Sequence, residues 1–141
     1  MIPLRDSIQT RRTPFVNYLL ISICSVVFFL QLQTPEGAPT LVERFGMIPA
    51  RVTEPGRPVE IPVSAELIQT PRGIERVVEM RPAAPSGVPP VFTLLTCIFL
   101  HGGWMHFLGN MWFLHIFGDN VEDRYGHFGY LLIYLTCGVA A

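Results

Sequence analysis

The chain has 141 residues, half of them hydrophobic and only 15% charged, which is too apolar for an ordinary soluble domain and suits a membrane protein. Ten Arg, no Lys and eleven acidic residues nearly cancel, so neither a nucleic-acid partner nor a strongly acidic one is indicated. Cys24, Cys97 and Cys137 are too widely spaced for a disulfide framework or a paired metal motif, and read as buried thiols.

Residues 1–14 form a leader with Arg5, Arg11 and Arg12, which the positive-inside rule keeps in the cytoplasm. Residues 15–32 carry no charge and only Asn17, Ser22, Ser25 and Gln31 as polar interruptions, which is long enough for a first transmembrane helix. The competing reading is a cleaved signal peptide. No small-x-small site follows, and the apolar core exceeds the usual signal length, so an uncleaved helix is the better reading. Pro14 suits its first turn, and Thr-Pro-Glu-Gly at 34–37 provides the stop.

Residues 33–90 hold eleven of the thirteen prolines and read as an extramembrane loop on the far side of the bilayer. Val59–Val63 and Ile74–Met80 flank Thr70-Pro-Arg-Gly73, whose Pro and Gly favour a type I turn. Either a short β-hairpin or a loosely ordered Pro-rich connector fits, because Pro62 interrupts one strand and an isolated hairpin buries little. Residues 49–56 and 81–90 read as plain loop.

From Val91 to Phe117 the chain is again apolar, too long for one span and divided by Gly102-Gly103. This predicts a membrane-edge segment at 91–102 and a second transmembrane helix at 103–118, with Trp104 and Trp112 as packing or interface residues. Gly109 would admit a neighbouring helix. A polar turn is expected at 119–127, and a third transmembrane helix starts at 128. Its fourteen residues, at about 1.5 Å each, reach about two-thirds of a hydrocarbon core of about 30 Å, so that helix is expected to be truncated at 141.

Polar side chains within the second apolar run carry the functional signal. His106 and Asn110 differ by about 40° on a helix and share a face, which Phe113 and Phe117 continue. Two donors in an apolar setting can serve a reacting carbonyl. They can equally make an interhelical hydrogen bond, worth about 0.6 kcal/mol on average. His101 and His106 lie about 140° apart, and His106 and His115 about 180°. Neither pair suits a zinc site built from this helix. His115 and Asp119 have the spacing of a surface pair.

His101-Gly-Gly-Trp-Met-His-Phe-Leu-Gly-Asn110, followed by Gly118-Asp-Asn-Val-Glu122, resembles the second transmembrane helix of the rhomboid intramembrane serine proteases. The spacing His-x4-His-x3-Asn carries the resemblance. Phe45-Gly-Met-Ile-Pro-Ala50 resembles the stretch after the family's first helix, and Tyr134-Leu-Thr-Cys-Gly-Val-Ala-Ala141 resembles its third. The resemblance covers about 1–50 and 91–141. The loop between them is longer than the family's minimal one, and Pro89-Pro-Val-Phe92 stands near the place of a Trp-Arg pair found in many relatives.

The resemblance implies an all-α membrane protein, the N-terminal portion of a six-helix transmembrane bundle with a long extramembrane loop. It implies a Ser on a fourth helix and a His base on a sixth; no Gly-x-Ser-Gly occurs in residues 1–141, so the chain alone is expected to be inactive. It carries over His106 and Asn110 as oxyanion donors and His101 as a water-holding residue, while Glu122 reads as a helix-end contact. Implied partners are transmembrane protein substrates, the lipid bilayer and the missing C-terminal helices, with no metal, cofactor or nucleic acid. The implied location is a multi-pass protein of the bacterial inner membrane. A rhomboid-like pseudoprotease that binds transmembrane clients without cutting, or a small membrane protein with no catalysis, are the alternatives.

Overall fold

In a computed structural model, residues 12–35, 37–70 and 73–141 are described. Most of the basic leader and the centre of the turn expected at 70–73 lie outside the described residues. Helix α1 (Phe15–Leu32) follows the uncharged run, and among the described residues it is the one helix long and apolar enough to cross a membrane by itself. Its burial follows a single stripe: Asn17, Leu20, Cys24 and Phe28 recur at intervals of three or four and are almost fully buried. Phe15, Val26, Phe29 and Leu30 are exposed, and only 28% of the span is covered. A core helix of a soluble protein would be covered nearly all round, so this open apolar face calls for lipid or further helices.

The second apolar run is bent. A 3₁₀ turn (Pro90–Phe92), α4 (Thr93–Thr96) and a second 3₁₀ turn (Cys97–Phe99) lead to extended backbone at Leu100. Helix α5 (Trp104–Phe113) then passes through a π-helical turn (Leu114–Gly118) into α6 (Asp119–Ala140). The first piece lies at 75° to the long one, and only together do they have the length and apolarity of a span.

The structure corrects the polar turn expected at 119–127. Helix continues from Asp119 to Tyr125, and the break is confined to Gly126, whose φ of 74° and ψ of 168° suit a glycine. Polarity here marks an internal contact. Glu122 is turned inward and is 1% exposed, with its carboxylate engaged by the start of α1. A compact cluster of Val16, Leu20 and Tyr130, with Leu114, Val121 and Tyr134 packed on it, joins α1 to α6.

The described part of residues 33–90 carries regular elements beyond a plain connector. Thr40 Oγ1 accepts from the Glu43 N–H at 3.1 Å and caps α2 (Leu41–Phe45). Pro49 occupies the first turn of α3 (Pro49–Thr53), within a stretch expected to be irregular. Strands β1 (Glu60–Thr70) and β2 (Gly73–Pro82) pair antiparallel, from Glu60 opposite Pro82 to Thr70 opposite Gly73. The ribbon is longer than the sequence pattern indicates, and Pro62 is accommodated where the register shifts at Val63. The chain is therefore mainly helical with a small sheet.

A bracket of charges fixes the ribbon root. Arg81 donates through both terminal nitrogens to the Glu43 carboxylate at 2.8 Å each, and the Ala84 N–H donates to the same carboxylate at 2.6 Å. Arg51 donates to the Glu43 carbonyl at 2.8 Å and also to the Ala84 carbonyl. The guanidinium of Arg81 holds the Glu43 carboxyl down from an ordinary 4.5 to about 2.

Candidate active site

The loop before α5 is held by α1. The Gln31 amide donates to the His101 carbonyl at 2.9 Å and accepts from the His101 N–H at 3.1 Å, satisfying both backbone groups. One turn earlier, Phe28 stacks on Phe107 with ring centroids 4.3 Å apart, and Trp104 meets Phe28 edge-on at 5.0 Å. These contacts fix residues 101–107 against a rigid face.

Within that frame the Gly102 N–H donates to His106 Nδ1 at 3.3 Å. An Nδ1 that accepts carries no proton, so the neutral ring holds its proton on Nε2 and keeps that donor for another partner. Asn110, one turn on, donates from Nδ2 to the His106 carbonyl at 2.9 Å, which occupies one of its two amide hydrogens. His101 packs beside them, its ring 5.5 Å from that of His106 and edge-on to Phe107 at 5.3 Å. It is 5% exposed, and its Nδ1 has no hydrogen-bond partner among the described residues.

All three residues line one cavity of about 520 Å³. Phe113 and Phe117, stacked at 5.6 Å, form part of an apolar wall with Leu114, Ile133 and Tyr134. Such a cavity combines a few convergent donors with an apolar lining, the composition that orients a small polar group of a larger ligand.

A second polar cluster lies beside this cavity. Both Glu122 carboxylate oxygens accept from the start of α1, at 2.9 Å from Val16 N–H and 2.7 Å from Asn17 N–H, and His127 contacts the same carboxylate. An acid from 106 residues away thus caps a helix whose own cap position, Pro14, offers no side-chain bond. Tyr130 donates to Asn17 Oδ1 at 2.9 Å, and Asn17 Nδ2 donates to the Leu114 carbonyl at 2.9 Å. Gly118 makes room for this pair: a Cβ there would overlap the Asn17 amide and lie 2.7 Å from the Tyr130 hydroxyl.

His101, His106 and Asn110, singled out by spacing, are brought together, whereas His115 is exposed and lies outside the cavity. Asp119 Oδ1 accepts from the Asn120 N–H at 2.8 Å, and no ion pair links it to His115. Among the described residues, nothing lies within 4 Å of a Cβ placed at Gly109. Of the three thiols only Cys24 is buried, 3.6 Å from the Tyr134 hydroxyl, while Cys137 is exposed. Among the described residues, no three His, Cys, Asp or Glu side chains gather as a metal site.

Sequence reasoning missed Asn17, Gln31, Tyr130 and His127. A signal for the first two was present, since fourteen residues amount to about four turns and place Asn17 and Gln31 at opposite ends of one stripe.

Residues 89–141 match the family described as Rhomboid domain. Over 53 residues the chain is 43% identical to Rhomboid-like protein 11, chloroplastic, from Arabidopsis thaliana, covering 38% of this chain and 19% of that relative. The chain thus spans about a fifth of the length of the curated relative. No solved structure matches.

Proposed function

We propose, from the match of residues 89–141 to the rhomboid domain, that this chain is part of a rhomboid and that α5 is the oxyanion-stabilising helix of an intramembrane serine endopeptidase. Its substrates are transmembrane segments of other membrane proteins, unwound so that a backbone carbonyl can enter the cavity. The observation that carries this reading is the Gly102 bond to His106 Nδ1, which leaves Nε2–H as a donor on the cavity shared with Asn110.

When a serine hydroxyl adds to the carbonyl, charge collects on the carbonyl oxygen. His106 Nε2–H and the second Asn110 amide hydrogen are fixed neutral donors for that charge, in surroundings of low dielectric where they act strongly. A permanent cation in the same place would cost at least about 2.5 kcal/mol at the bilayer centre. His101, with its buried Nδ1, suits the holding of a water for the later hydrolysis. In this reading the serine and its histidine base stand on helices other than those seen here, since residues 1–141 contain no Gly-x-Ser-Gly. The protein is multi-pass, with the basic leader on the cytoplasmic side.

A second reading, client binding without cleavage, draws on the bond from Asn110 to its own helix. One experiment separates the two. The complete coding product, reconstituted in vesicles, is expected to cleave a fluorogenic transmembrane reporter, and Asn110→Ala to lower kcat by about 10²–10³ with little change in KM. Reporter binding without cleavage selects the second reading, and unchanged turnover in the mutant removes the oxyanion role.

A further inference from the structure

The Gln31 amide does more than satisfy two backbone groups, because of the peptide it grips. The His101 carbonyl, which accepts from Gln31 Nε2 at 2.9 Å, and the Gly102 N–H, which donates to His106 Nδ1 at 3.3 Å, belong to one peptide unit. That unit is planar and trans, so its oxygen and its hydrogen point in opposite directions and turn together. Gln31 therefore holds one side of the plane and His106 meets the other. The His101 N–H, bound to Gln31 Oε1 at 3.1 Å, fixes the neighbouring peptide as well.

The loop itself offers little resistance to rotation. Turning the 101–102 peptide over changes ψ at His101 and φ at Gly102, and glycine reaches positive φ at little cost. Gly103 follows with a φ of 157°, a conformation that also favours glycine. The bond to His106 is long for an N–H donor, most of which lie within about 3.2 Å of the acceptor, so a small displacement breaks it. The restraint comes instead from α1. Gln31 lies one turn after Phe28, whose ring stacks on Phe107 at 4.3 Å, so the amide sits on a helix packed directly against α5.

We propose that Gln31 is a positioning residue of the cavity: by locking the His101–Gly102 peptide it keeps the proton of the neutral His106 ring on Nε2. With the peptide turned over, the Gly102 N–H is withdrawn and a carbonyl oxygen comes round toward Nδ1. An oxygen there requires a donor, so the ring proton moves to Nδ1 and Nε2 becomes an acceptor. A bare Nε2 repels the developing oxyanion instead of stabilising it. The effect on turnover rests on the oxyanion reading, whereas the effect on the ring proton is independent of it.

The test uses Gln31→Met, which keeps the length of the side chain and removes both bonds, in the complete coding product reconstituted in vesicles. In the ¹⁵N spectrum of histidine-labelled protein, the His106 signals should move from a protonated Nε2 toward a protonated Nδ1. Turnover of the transmembrane reporter should fall about tenfold or more, through kcat rather than KM. In a His106→Ala background the same substitution should change turnover by less than about twofold, since a residue acting through His106 then has nothing left to position. Where Gln31→Met does not fold, Gln31→Glu gives the same readings, because its carboxylate accepts from the His101 N–H but has no hydrogen for the His101 carbonyl. A folded variant whose His106 ring keeps its proton on Nε2 overturns the proposal, and so does a turnover loss of equal size with and without His106. Unchanged turnover in both His106→Ala and Asn110→Ala removes the oxyanion reading alone, and the nitrogen spectrum then still decides the lock.

Discussion

Two polar clusters sit side by side in the helical part of this molecule, and they treat their hydrogen-bonding groups in opposite ways. Around Glu122 every strong group has a partner: two α1 amides on the carboxylate, Tyr130 on Asn17, and Asn17 on the Leu114 carbonyl. Around His106 the His101 backbone is satisfied by Gln31 and the Gly102 N–H by His106 Nδ1, but side-chain capacity is left over in the His106 Nε2–H and, among the described residues, the His101 Nδ1. A closed cluster holds helices together, whereas an open one can bind something that arrives later. Polar residues in the same apolar setting thus close a structural network in one place and keep hydrogen-bonding capacity in reserve in the other.

Mutations that break one cluster should leave the other working. The largest effect on stability is expected from Glu122→Ala, which orphans the Val16 and Asn17 amides and removes the charge at the start of α1. A loss of about 3 kcal/mol should appear in detergent unfolding titrations, and any loss of activity should track the unfolded fraction.

The opposite sign is expected on the other side. His101→Leu removes a buried nitrogen that has no partner, so stability should be unchanged or rise by up to about 1 kcal/mol while turnover falls. A destabilisation like that of Glu122→Ala would show that the two clusters do not differ in kind.

The smallest effect lies in the loop and provides a control outside both clusters. Glu43 has a folded pKa of about 2 against an ordinary 4.5, so its contribution is complete above about pH 4.5 and disappears as the pH falls toward 2. Exchange protection of the Ala84 amide should decline across that window, and Glu43→Gln should flatten the profile. The span of α1 and the α5–α6 core should not follow it.

Much of this was legible in the residues. The uncharged run at 15–32 and the helical spacing of His106 and Asn110 needed only length and periodicity. Local composition failed at 119–127, because Asp119-Asn-Val-Glu-Asp reads as solvent-facing until the amides of α1, about a hundred residues earlier, are known to need an acceptor. It failed again at 41–53, where proline content masked the Thr40 cap and the proline start of α3. Partners distant in sequence decide the first case, whereas the second is local, Thr40 capping the Glu43 amide three residues on, and neither has a periodic signature. The histidines show a further limit: helical angles set His101 about 140° from His106, yet their rings lie 5.5 Å apart because His101 precedes the start of α5 at Trp104.

The central claim is that the His106 ring keeps a donor available to the cavity, and the most direct measurement is the ¹⁵N spectrum of histidine-labelled chain in lipid, assigned with His106→Gln. The account predicts a neutral His106 ring with the proton on Nε2 and an unprotonated Nδ1 accepting from Gly102. A proton found on Nδ1, with a bare Nε2 facing the cavity, would contradict it.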